Sequence, residues 1–169
     1  MALLEIKTYP ETVLAKRAAP VNDIDGDVEL LIDDMIETMY SAPGIGLAAP
    51  QVGVSKRLIV VDVSVRDGEK IPLIVLINPE IVHSQGEIES EEGCLSLPGF
   101  TATVIRAEKV LVKGMDREGS PMEIEGEGLL SRALQHEIDH LNGRLLIDRI
   151  SRIKREFFRK RIQKALSKA

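Results

Sequence analysis

Gln135-His136-Glu137-Ile138-Asp139-His140-Leu141-Asn142-Gly143 is the stretch from which the rest of the chain can be read. His136 and His140 stand four residues apart, so on a helix both imidazoles leave one face and can share a tetrahedral ion. Glu137 follows the first histidine, where a carboxylate reaches water on the same ion as general base. Leu130, Leu134, Ile138 and Leu141 form a separate apolar stripe that anchors the segment in a core. The periodicity predicts a helix over 127–141, stopped by Asn142-Gly143, a C-cap pair. Two ordinary helix histidines are the plain alternative. It is weakened because the chain has three histidines in all and two fall in this pattern. Metal-assisted hydrolysis is implied, and an endopeptidase is the first guess.

Two histidines leave such a centre a ligand short, because a catalytic site takes three protein ligands and keeps one position open. Leu141-Asn142-Gly143-Arg144 supplies neither a third histidine nor the glycine spacing of a metzincin. The candidates elsewhere are Cys94, His83 or a distant acid. Cys94 is the best of them: it follows Gly93, which permits close backbone approach, and ligation would keep it a thiolate. It is also the single cysteine, so no internal disulfide exists, and an inert core thiol is the alternative.

Outward from this helix, Val28, Leu31, Ile32, Met35 and Met39 recur at helical spacing, with Asp25 or Asp27 near the start and Pro43-Gly44 at the end. A short helix is expected within 10–18 and a last one over 151–167. Residues 57–63 and 73–77 are β-branched and read as strands. Asn78-Pro79 punctuates, and 81–88 continues a sheet. Residues 103–114 and 121–125 read as two strands joined by a hairpin turn at Asp116-Arg117-Glu118-Gly119. The stretches 44–53 and 91–99 look irregular. Strands crowd the middle and helices the ends, without regular alternation. The expected fold class is therefore α+β: mainly antiparallel sheets around a central metal-binding helix, with a C-terminal helix.

The chain has 169 residues, 44% of them hydrophobic, with no Trp, so aliphatic side chains must fill the core. Residues 1–148 are expected to form one catalytic domain and 149–169 a basic helix appended to it. No stretch approaches the roughly 20 apolar residues that span a bilayer. Met1-Ala2-Leu3-Leu4-Glu5 does not open a secretory signal, so a cytoplasmic protein is expected, with no membrane and no DNA partner. The net charge of −5 divides into +8 over 149–169 and −13 over the rest. Such a tail either meets something anionic or is a solvated helix face. Within it, Ile150, Ile153 and Phe157 form one stripe, and Phe158, Ile162, Ala165 and Leu166 form another, rotated around the axis. The first half of the helix is expected to dock on the body and the second half to project.

Three motifs now stand in order: Gly44-Ile45-Gly46-Leu47-Ala48-Ala49-Pro50-Gln51, Glu92-Gly93-Cys94-Leu95-Ser96, and the helix motif above. Together they resemble the peptide deformylase family, from near Leu4 to about Asp148, and the basic last helix resembles the bacterial type with a helical C-terminus. The resemblance implies metal ligation by Cys94, His136 and His140, with Glu137 as acid–base group. It implies oxyanion binding by Gln51 and the Leu95 N–H, and backbone hydrogen bonding to substrate by Gly46. It implies one divalent ion, Fe2+ in most members, with Zn2+, Ni2+ or Co2+ able to substitute. The substrates it implies are nascent formyl-Met polypeptides, with ribosomal contact through the basic helix. Arg106 resembles a position that pairs with Glu92. Where some members carry an Arg after the cysteine motif, this chain reads Phe100-Thr101-Ala102.

The residues themselves suggest a pocket. Leu129 and Ala133 precede His136 by seven and three positions and share its face, and Ile45 lies near Gln51 in the chain. They would form an apolar slot for an unbranched methionine side chain. Arg132 falls on the same face without an evident partner. A metallo-endopeptidase and a non-catalytic ribosome-binding protein are the rival readings. An upstream cysteine as third ligand opposes the first, and the intact set of Gln51, Cys94, His136, Glu137 and His140 opposes the second.

Overall fold

The computed structural model describes residues 2–64 and 71–167. Helix α1 spans Gly26–Ser41, and the Asp25 side chain caps it by accepting from the Val28 N–H at 2.9 Å. The strands are β1 (Gly46–Ala48), β2 (Leu58–Val61), β3 (Ile74–Gln85), β4 (Ile88–Cys94), β5 (Leu97–Arg106), β6 (Lys109–Met115) and β7 (Pro121–Glu127). Helix α2 spans Leu129–Leu141 and α3 spans Arg152–Ser167. An antiparallel sheet runs β1-β2-β3-β6-β7, and β4-β5 form a separate antiparallel hairpin. The expected α+β class is the observed one.

Strand β2 shows why the sequence settles into layers. Leu58-Ile59-Val60-Val61 has no polar residue, and all four side chains are buried. Alternation sends Ile59 and Val61 to one face and Leu58 and Val60 to the other. The first pair packs with Leu130, Leu134, Ile138 and Leu141, the predicted stripe of α2. The second pair packs with Val28, Ile32, Met35 and Met39 of α1. The sheet is thus covered on both faces, and α2 is held by its apolar stripe while its histidine face stays free. Gly143 ends α2 at φ +75°, as the Asn142-Gly143 signal predicts.

Several boundaries differ from expectation. The stretch 91–99 is not irregular: it is the turn of the β4–β5 hairpin, with Leu95-Ser96 between the paired Cys94 and Leu97. The run 103–114 is two strands, broken at Ala107-Glu108, because α2 captures the backbone there. Gln135 Oε1 accepts from the Ala107 N–H at 3.0 Å, and Ser131 Oγ donates to the Ala107 carbonyl at 2.9 Å. Asn78-Pro79 lies inside β3 as a register shift, with Asn78 at φ +53° and its side chain bonded to the Val21 backbone. The stretch 44–53 holds β1 and a 3-10 helix at Ala49–Val52, and the helix expected within 10–18 is a 3-10 turn at Thr12–Ala15.

The last helix departs from that expectation: within its first half Ile153 and Phe157 do not dock, and the anchor is Phe158. Ile153 and Phe157 are 72% and 68% exposed, whereas Phe158 is 4% exposed. Phe158 docks between Tyr9 and Phe100, with ring centroids at 5.4 and 4.6 Å, and joins a third core with Ile150 and Ile162. Adjacent phenylalanines point about 100° apart on a helix, and the tertiary partners of Phe158 decide between them. Chemical denaturation tests this. Phe158→Ala should lower stability by about 3–4 kcal/mol, and Phe157→Ala should change it by no more than about 0.5 kcal/mol.

Candidate metal centre

Three segments far apart in sequence converge on the free face of α2. Cys94 arrives at the tip of the β4–β5 hairpin, and His136 and His140 stand one turn apart on α2. One ligand atom from each of the three lies within 4.8 Å of the others. Cys94 Sγ is 3.5 Å from His140 Nε2, and the two imidazole centroids are 5.1 Å apart. His83, the other histidine, is exposed on β3 and pairs in register with Leu111, so it does not join the group.

A network of charges behind the ligands holds them in place. His136 Nδ1 lies 3.0 Å from Glu92 Oε1, which leaves Nε2 as the nitrogen available to an ion. Arg106 donates from Nε and Nη2 to the two oxygens of Glu92, at 2.7 and 2.9 Å, and from Nη1 to Asp139 at 3.0 Å. Arg149 closes the far end, donating to Asp139 Oδ2 and Oδ1 at 2.9 and 2.6 Å. The Arg106 side chain is 2% exposed. Burial pushes the Glu92 carboxyl up, but hydrogen bonds from His136 and Arg106 override it and hold it at about 2. The pairing of Arg106 with Glu92 implied by the resemblance is present, and Asp139 is a second partner that sequence reasoning missed. The signal was available: Asp139 is three residues after His136 on the motif helix, where a surface acid would be unremarked.

Glu137 is 5% exposed. Burial drives its carboxyl up to about 7, against the opposing pull of His136 and Arg106. Burial lowers the His140 imidazole well below its ordinary value, with help from His136 and Arg106. Burial alone would lower His136, but hydrogen bonds from its ring to Cys94 and Glu92 raise it. Among the described residues Glu137 Oε1 is buried without a hydrogen-bond partner. An orphaned carboxylate oxygen beside a Cys-His-His set fits the water of a bound divalent cation.

Gly46 explains how Glu137 fits. A Cβ at position 46 would lie 2.6 Å from Glu137 Oε2 and 2.9 Å from its Cδ, so any side chain there collides with the carboxylate. Gln51 is 2% exposed in the 3-10 helix after β1. Its Oε1 accepts from the Ala48 N–H at 3.0 Å, which turns Nε2 toward Ser96 Oγ at 3.1 Å and Cys94 Sγ at 3.8 Å. Among the described residues nothing accepts a hydrogen bond from the Leu95 N–H.

A cavity of about 490 Å³ opens onto these groups. Ile45, Gly46, Gln51, Leu95, Leu129 and Ala133 line it, together with His136, Glu137 and Cys94. His140 lies beneath it, 1% exposed. Arg132 and Thr101 also line the cavity, and among the described residues Arg132 has no ion-pair partner.

Comparison with known proteins agrees with this geometry. The family model described as polypeptide deformylase matches residues 3–156. The peptide deformylase of Thermodesulfovibrio yellowstonii is 66% identical over 163 residues, covering 96% of this chain and 98% of that protein. That of Syntrophobacter fumaroxidans is 56% identical, covering 100% and 99%. A crystal structure of a peptide deformylase from Legionella pneumophila superposes with TM-score 0.89 at 53% identity, covering 98% and 96% of the two chains. One from Ehrlichia chaffeensis in complex with actinonin gives TM-score 0.90 at 38% identity and covers 98% of each.

Two outcomes follow for the charge network. Arg106→Met removes the buried cation that Glu92 and Asp139 share, leaving Glu92 only His136 and Asp139 only Arg149, and should cost about 3–5 kcal/mol in denaturant titrations. The Glu92 carboxyl lies at about 2 in the folded chain, below its ordinary 4.5. Its contribution to stability is complete above pH 4.5 and is lost as pH falls toward 2. Glu92→Gln should remove that part of the acid dependence, and an unchanged slope would contradict the pairing.

Proposed function

The chain belongs to the polypeptide deformylase family, and from that premise we propose that it removes the N-formyl group from the N-terminal formyl-methionine of newly synthesised polypeptides, releasing formate. The observation that carries the reading is the convergence of Cys94, His136 and His140 with Glu137 and Gln51 on one cavity. A metallo-endopeptidase is not favoured, because the third ligand comes from an upstream hairpin.

Cys94, His136 and His140 are the residues that would hold the metal. We take the ion to be Fe2+, with Zn2+, Ni2+ or Co2+ able to replace it. A divalent cation there supplies Lewis acidity and makes water roughly nine pKa units more acidic. Glu137 does the proton work: its carboxylate accepts a proton from the attacking water and returns it to the leaving amine nitrogen. A carboxyl brought to about 7 by burial is matched to both directions of transfer, and a nearby cation favours its ionised form. Gln51 Nε2 and the Leu95 N–H bind the oxygen that gains charge, each such donor contributing about 3–4 kcal/mol.

The rest of the cavity selects the substrate. Ile45, Leu129 and Ala133 form the slot for the methionine side chain. Gly46 offers its backbone. The Ile45 carbonyl accepts from the Asp62 N–H, so by alternation the Gly46 N–H and carbonyl point to the open edge of the sheet, where an extended peptide can pair. We read residues 1–148 as the catalytic unit and the protein as cytoplasmic; no helix of the described chain is long and apolar enough to cross a membrane. The exposed basic side chains of α3 suit ribosomal RNA.

Glu137→Ala should retain its metal by elemental analysis and lose about 10²–10⁴-fold in turnover of formyl-Met-Ala-Ser. Gly46→Ala should lose activity at unchanged metal content, because its Cβ displaces the carboxylate. Normal turnover by Glu137→Ala would remove the assignment, and cleavage of an internal peptide bond would revive the endopeptidase. Charge reversal at the exposed Arg159 and Lys160 should weaken ribosome binding and flatten its dependence on salt, seen by co-sedimentation.

A further inference from the structure

A second cavity, of about 370 Å³, lies between the β4–β5 hairpin and α3. Glu91, Phe100 and Thr101 line both, so the two cavities adjoin at the hairpin and together mark out a groove. We propose that this groove is an extended subsite for the polypeptide downstream of formyl-methionine, and that its far end selects acidic side chains. The inference rests on the deformylase reading and deepens it.

The occupant follows from length and charge. Glu91 precedes Cys94 by three residues along β4, which places the junction about 10 Å from the thiolate. An extended peptide covers that distance in about three residues. The first three residues of a substrate therefore fill the first cavity, and residues four to six enter the second. Lys154, Phe157, Phe158 and Arg161 recur at helical spacing and present one face of α3 to Thr101 and Thr103. Phe157, 68% exposed, supplies an aromatic wall that a passing chain would cover. Among the described residues the ion pairs of α3 are Arg155 with Asp148 and Arg159 with Glu156, so Lys154 and Arg161 carry unpaired charge into the groove. Glu91 sits at the junction and opposes an acid there. The preference therefore has a register: acids are disfavoured near residue three and favoured at residues four to six.

The test compares formylated peptides on the full-length, metal-loaded enzyme: a tripeptide, a nonapeptide with Asp or Glu at residues four to six, and a nonapeptide with Lys there. The acidic nonapeptide should exceed the basic one by about tenfold in kcat/KM, through KM, with kcat equal. Lys154→Glu with Arg161→Glu should reverse that order and leave the tripeptide unchanged. Phe157→Ala should weaken both nonapeptides together. Fluorescence anisotropy of labelled, unformylated nonapeptides gives the same comparison without turnover. Equal handling of the two nonapeptides, or a charge-reversed variant that keeps the wild-type order, overturns the subsite. A variant that keeps that order but loses ribosome binding reassigns the face to RNA. Failure to deformylate even the tripeptide would count against the deformylase reading instead, while the binding comparison still decides the groove.

Discussion

The buried guanidinium of Arg106 is the constraint on which the rest of the molecule depends. It bonds Glu92 on the hairpin and Asp139 on the metal helix at once. A charge with a side chain 2% exposed is costly to bury, and it is tolerated only because two carboxylates and their hydrogen bonds meet it. Those carboxylates are themselves engaged, Glu92 by His136 and Asp139 by Arg149. Cys94 on the hairpin and the two histidines on the helix are thus attached to two ends of one electrostatic frame. Hydrophobic packing places α2 against the sheet, but it has no means to fix the hairpin tip to within the tolerance that coordination demands. The frame does that, because charge-assisted bonds are directional where apolar contact is not.

The same low-polarity surroundings do chemical work. Sheet faces covered by α1 and α2 exclude water from the base of the cavity, and Glu137 lies there with a proton affinity near neutrality. Close approach of β1 makes that burial possible, and close approach requires the missing side chain at Gly46. A residue legible only as part of a glycine-rich turn is, in space, the wall against which the acid–base group rests.

What the sequence revealed, and what it withheld, divides along local and non-local causes. The α2 stripe, its C-cap, α1 with its Asp25 cap and the turn at 116–119 are set by neighbours in the chain, and all are where periodicity and turn chemistry put them. Cys94 was separable from His83 on local grounds, and the structure places it with the two histidines. The break at Ala107 was not legible, because its cause is two side chains of α2 more than twenty residues away. The hairpin at 91–99 looked irregular because its polar residues serve the site rather than a strand pattern: Glu92 holds His136, and Cys94 ends the strand. Phe157 and Phe158 could not be told apart by spacing. One of them meets Tyr9 and Phe100, and those partners lie in segments no helical period can see.

Arg149 has a consequence for the birth of the molecule. Its clamp on Asp139 lies at the very end of the body, after both histidines, and Cys94 and Gln51 come far earlier in the chain. A polypeptide emerging in order holds Gln51 and Cys94 long before anything exists to orient them. The frame can close only when nearly the whole chain is out. Partial products of translation therefore lack the contact that closes the frame.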